Sequence, residues 1–115
     1  MVEKTGLPKE IIDKALQLVE VAKNAGKVRK GINETTKSIE RGASKLVLIA
    51  EDVEPKEIVM HIPAICNEKK IPFIYVPNKR DLGRAAGLDV PSAAISVEDV
   101  KEGKDLLKDV LEKLG

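Results

Sequence analysis

Apolar residues recur along this chain in two rhythms. In LPKEIIDKALQLVEVAKNAG the positions Ile11, Ile12, Ala15, Leu16, Val19 and Ala22 are spaced by three or four, which places them on one face of a helix from Pro8 to about Ala25. Pro8 suits a first helical position, and Gly26 suits the stop. The same spacing returns in Leu106, Leu107, Val110, Leu111 and Leu114, predicting an amphipathic helix at the end. KLVLIAE, IPFIYVP and AAISV instead are continuous apolar runs of strand length, the pattern of strands covered on both faces.

The intervening segments complete the order. Lys27 to Lys30 reads as a short basic extended piece, followed by a helix with Asn33 as its cap and Gly42 as its stop. DVEPKEIVMHIPAICNEKK predicts a helix starting near Pro55, with Pro63 inside it where a missing N–H and a ring clash should kink or split it. NKRDLGRAAG predicts a short helix capped by Asn78 and stopped by Gly87. Alternating strands and helices imply one domain over residues 1–115, a three-layer α/β/α sandwich around a mixed or mostly parallel sheet of about four strands. Loops between buried strands and helices should then gather at one edge of the sheet, where such folds bind ligands.

Composition narrows the class. Apolar residues make up 43% of the chain but aromatics only 2%, so the core must be built from Ile, Leu, Val and Ala. One cysteine, Cys66, excludes an internal disulfide, and no apolar run approaches the roughly 18 residues of a membrane span. MVEKTGLPKE has no apolar core of a signal peptide, so a cytoplasmic protein without membrane contact is expected. Net charge is only +1, yet it is segregated. Residues 27–45 carry six Lys/Arg against two acids and 61–84 carry five against two, whereas 46–60 and 85–115 are each net −3. A fold that joins the two basic segments would make one basic face.

Two stretches raise the possibility of a small GTP- or ATP-binding enzyme. Gly31 to Ser38 has the composition of a phosphate-cradling loop, and Asn78-Lys79-Arg80-Asp81 matches a guanine-reading pattern after a strand. The first lacks the second glycine, since Thr36 stands there, and no strong strand precedes it. Asn78 is explained at lower cost as a helix cap. His61 reads as a buried or half-buried structural residue and Cys66 as a small core residue. Glu51, Asp52 and Glu54 fit acids ahead of a helix start. With no metal-ligand spacing, neither catalytic residues, metal nor cofactor is expected.

The basic segments favour RNA. A helix starting after a glycine turn offers backbone N–H groups to phosphate, and its first exposed face carries Asn33, Glu34 and Lys37. Asn and Lys can donate to base acceptors and Glu can accept from amino groups, so the three can read base edges in a groove. Lys30, Arg41 and Lys79 would hold phosphates.

RKGINETTKSIERG, followed by KLVLIAEDVEP, HIPAICNEKKIPFIYV and LGRAAGL, resembles the archaeal ribosomal protein L-seven-Ae family of kink-turn RNA binders, from about residue 8 to residue 97. The resemblance implies a non-enzymatic α/β/α sandwich that recognises a sharply bent RNA internal loop built on tandem sheared G·A pairs. It implies ribosomal RNA, box C/D and H/ACA guide RNA and ribonuclease P RNA as targets and protein components of those particles as partners; nothing in the sequence argues for a stable homo-oligomer, so a monomer is expected. Carried onto this chain, Asn33, Glu34 and Lys37 contact the sheared pairs, with Gly31, Lys30 and Arg41 near phosphates and Lys79 on backbone at the other side. Glu54, Ile58 and the loop Leu88, Asp89, Val90 and Pro91 accommodate an extruded base. A protein-interaction scaffold with a vestigial RNA site is the third reading.

Overall fold

The computed structural model describes residues 8–25 and 27–114. Gly26, the N-terminal lead-in and the side chain of Leu114 lie outside the described residues. The elements run α1 (Lys9–Ala25), β1 (Lys27–Lys30), α2 (Ile32–Glu40), β2 (Leu46–Ala50), α3 (His61–Lys69), β3 (Phe73–Val76), α4 (Lys79–Ala85), β4 (Ala94–Asp99) and α5 (Lys104–Leu114). The four strands form one mixed sheet in the order β1-β4-β2-β3. β4 is antiparallel to β1 and to β2, while β2 and β3 are parallel.

The continuous apolar runs have the expected cause. Every residue of β2 is buried, so both sheet faces are covered there. α1 packs against α4 and α5, and α2 lies over β4 and against α3, giving the two helical layers. Ile11, Ala15, Val19 and Ala22 of α1 are buried as their spacing predicts. Leu18 is buried as well, because the turn preceding α5 packs on the flank of α1 that a single-face reading leaves open. The core is aliphatic, and the chain's single Phe and single Tyr meet edge to face on β3, with centroids 6.1 Å apart.

Three expectations change. The helix from Pro55 is not continuous: Lys56–Ile58 form a 3-10 turn, and α3 opens only at His61. Pro63 therefore falls in the first turn of α3, where its missing N–H breaks no intrahelical bond. The split lies before the proline. Likewise α2 is capped by Gly31 instead of Asn33 and begins at Ile32. β4 also runs past Val97 to Asp99, which brings Glu98 into the sheet.

Candidate nucleic-acid interface

Gly31 turns β1 into α2. Its φ of 93° and ψ of 163° lie in a region essentially restricted to glycine, so an L side chain there would strain the junction. The Gly31 N–H donates to the Ala94 carbonyl at 2.9 Å, and its own carbonyl accepts from the Thr35 N–H at 2.9 Å. The Ala50 N–H donates to the Ala93 carbonyl at 2.9 Å, and the Ser92 N–H to the Lys79 carbonyl at 3.0 Å. The Lys79 N–H donates to Asp52 Oδ1 at 2.8 Å. These bonds tie the start of α2, the end of β2, the start of α4 and the start of β4 together at one edge of the sheet. Lys30, Gly31, Asn33, Glu34, Lys37, Lys79 and the flanking segments 51–58 and 88–91 thus come from distant parts of the chain to that edge.

The placement of the α2 cap matters for chemistry. As a residue of the first helical turn, Asn33 is exposed and its side chain makes no hydrogen bond among the described residues, so its amide is not consumed in capping. Glu34 and Lys37 are exposed and lie 3.7 Å apart, a surface ion pair that is cheap to exchange for other polar partners. Thr35, Ser38 and Ile39 turn inward and are buried, which accounts for the thin apolar content of this helix.

Across the edge, the loop 88–91 leaves α4 with the Leu88 N–H donating to the Gly83 carbonyl at 2.9 Å. Leu88 is half-buried, and Asp89, Val90 and Pro91 are exposed. Ile58, Met60 and Val90 are the exposed large hydrophobic residues among those described. Two of them belong to the sequence-predicted set. Met60, which the sequence did not single out, is also exposed, two residues after the 3-10 turn that ends at Ile58. Arg80 and Arg84, one helical turn apart, share a shallow depression with Leu88–Pro91, and their spacing was the available signal.

The model of the ribosomal protein L7Ae/L30e/S12e/Gadd45 family matches residues 13–107. The chain belongs to that family. A solved structure of the Giardia lamblia 15.5kD RNA binding protein superposes with a TM-score of 0.88 at 30% identity, covering 94% of this chain and 90% of that one.

Not every residue that the family resemblance nominated sits at the shared edge. Arg41 follows the last turn of α2, at the opposite end from Asn33, and its Nη2 lies 3.4 Å from Glu98 Oε2. Glu98 is a half-buried residue whose carboxylate sits at the centre of a network: Arg29 Nε approaches it at 3.3 Å and Lys27 Nζ at 3.9 Å, and the Ser38 hydroxyl donates to it at 2.6 Å. Ser38 also bonds Ser44 and Ser96, which bond each other. Burial pushes the Glu98 carboxyl up, but the Ser38 hydrogen bond and the positive charges of Arg29 and Lys27 prevail and hold it below the ordinary glutamate range. Within this family member, Arg41 is thus part of a structural ion-pair network.

The nucleotide reading finds no matching geometry. A phosphate loop wraps its ligand before the helix begins, whereas Thr36 and Lys37 lie inside α2. Asn78 Oδ1 accepts from the Arg80 N–H at 2.8 Å and from the Asp81 N–H at 3.2 Å, so it is the helix cap expected of it. His61 is exposed, contrary to the buried or half-buried role expected, because it opens α3 instead of lying within a longer helix. Burial pushes the Cys66 thiol up to about 12, which leaves it an unreactive core residue. Among the described residues no helix is long and apolar enough to cross a membrane, and no group of His, Cys, Asp and Glu is placed to hold a metal ion.

Proposed function

We propose that this protein binds RNA and stabilises the kink-turn, a sharply bent internal loop with tandem sheared G·A pairs. The observation that carries the reading is the hydrogen-bonded edge that joins the exposed Asn33, Glu34 and Lys37 to the segments bearing Lys79, Glu54, Ile58 and Leu88–Pro91. Support comes from the 15.5kD Giardia relative, named as an RNA binding protein. Asn33, Glu34 and Lys37 read the base edges of the sheared pairs, and Lys30, the Gly31 backbone and Lys79 hold phosphates. Glu54, Ile58 and the loop Leu88, Asp89, Val90, Pro91 receive the extruded base by apolar packing and edge hydrogen bonds. Arg41 reaches phosphate only beyond this edge, from its network with Glu98.

Binding only the bent form of an RNA shifts its population by the differential affinity, which requires no catalysis. The protein therefore acts as a monomeric, non-enzymatic component of cytoplasmic ribonucleoprotein particles: the large ribosomal subunit, box C/D and H/ACA guide-RNA particles and ribonuclease P, alongside their other proteins. The test compares a labelled kink-turn RNA with the same hairpin carrying Watson–Crick pairs in place of the G·A pairs, at fixed moderate salt. Strong preference for the kinked RNA is expected, and Lys37→Ala should weaken it by about 1–3 kcal/mol. Equal, salt-sensitive binding to both RNAs would reduce the interaction to phosphate attraction and sink the proposal.

A further inference from the structure

The proposed interface is built in two halves that are far apart in sequence. One is the N-terminal part of α2, anchored by Gly31 to β4. The other is the segment leaving β2, anchored by Asp52 to the start of α4 and by the buried Val53 and Val59 to the core. Both anchors hold their half to the same end of the sheet, and the helices that follow them, α2 and α3, also meet directly. His61 opens α3, three residues after Ile58, and its Nε2 lies 2.9 Å from Oγ1 of Thr36. Thr36 stands between the readers on α2, three residues after Asn33 and one before Lys37, so it flanks their face. We infer that His61 is a positioning residue for RNA recognition: its hydrogen bond to Thr36 locks the base-reading helix to the segment that carries Glu54 and Ile58. The inference rests on the kink-turn reading above.

The chemistry of the pair suits a fixed tie. A hydroxyl can donate or accept and an imidazole nitrogen does either according to its tautomer, so the bond forms whichever group supplies the proton. The bond lies at the surface, so it adds little to global stability; its effect falls on the cost of aligning the two halves when RNA binds.

The experiment measures the affinity of the wild type, His61→Ala, Thr36→Val, the double variant and His61→Gln for kink-turn RNA and for the Watson–Crick control. Each single variant should weaken kink-turn binding by about two- to tenfold, the range set by one net hydrogen bond. The double variant should be no weaker than either single one, because both remove the same bond. His61→Gln, which keeps a donor and an acceptor at about the reach of Nε2, should restore most of the affinity, and binding to the control RNA should not change. Wild-type affinity in His61→Ala, additive losses in the double variant, or a Gln variant as weak as the Ala variant would each overturn the tie while leaving kink-turn recognition intact. A wild type without preference for the kinked RNA would instead overturn the underlying reading, and the inference with it.

Discussion

Substituting Gly83 by alanine sets two effects of opposite sign against each other. Gly83 lies inside α4, where alanine is the better helix former by about 1 kcal/mol, so propensity alone predicts a stabler protein. The tertiary structure predicts the reverse. A β-carbon at this position would overlap the Val90 carbonyl oxygen and lie 3.1 Å from both the Cα and the carbonyl carbon of Pro91. Those are backbone atoms, and no rotamer change can clear them. The loop is pinned by the Leu88 N–H to the Gly83 carbonyl at 2.9 Å, by the Ser92 N–H to the Lys79 carbonyl at 3.0 Å, and by the Ser92 hydroxyl to the Ala94 carbonyl at 3.0 Å. Overpacking of this kind costs about 1–3 kcal/mol, and a backbone obstacle places it toward the upper end. After the gain in propensity the net loss is about 1–2 kcal/mol, which for a domain of this size lowers Tm by about 4–8 °C. The loop that moves is the one proposed to receive the extruded base, so affinity for kink-turn RNA should fall by at least about fivefold, equivalent to a single weak base contact. Binding to the Watson–Crick control should hold. Thermal melting and titration of both RNAs would measure this. A Gly83→Ala protein melting at or above the wild type, with unchanged kink-turn affinity, would refute the reasoning.

Two further outcomes follow from polar groups shielded from solvent wholly or in part. Thr35 Oγ1 is buried and has no hydrogen-bond partner among the described residues, so Thr35→Val, which keeps the shape and removes the orphaned hydroxyl, should stabilise the protein by about 1 kcal/mol in denaturant unfolding; a loss of stability would show that the hydroxyl is bonded in solution. Glu98 is held below its ordinary value of 4.5, so its contribution is present above that pH and is lost as the pH falls through the lowered value of the folded state. The Tm difference between wild type and Glu98→Gln should therefore be largest near neutrality and shrink toward pH 3, and a difference constant across that range would contradict the assignment.

Much of the fold was legible because it rests on local rules. A run such as LVLIA can satisfy its apolar side chains only when covered on both faces, and the spacing of Ile11, Ala15, Val19 and Ala22 can form one buried surface only as a helix. The proposed base-reading residues were legible for a related reason: Asn33, Glu34 and Lys37 lie within five positions of one another, so any helix through them presents them together.

What the sequence by itself determined, then, were the elements, their order and the short-range grouping of side chains. Tertiary structure decided which groups remain available. Gly31, and not Asn33, caps α2, its N–H taken up by Ala94, 63 residues away, and the Asn33 amide is not used in capping. The segment after Pro55 closes as a 3-10 turn, which exposes Met60 and puts His61 at the head of α3 within reach of Thr36. Glu98 gathers Lys27, Arg29 and Arg41 only because β4 lies beside β1 and beneath α2, and that pairing draws Arg41 into a network away from the shared edge. The physical reason is common to all three. Periodicity and propensity act over a few neighbouring residues, whereas a hydrogen bond or ion pair between residues tens of positions apart exists only once the sheet order has brought their backbones together.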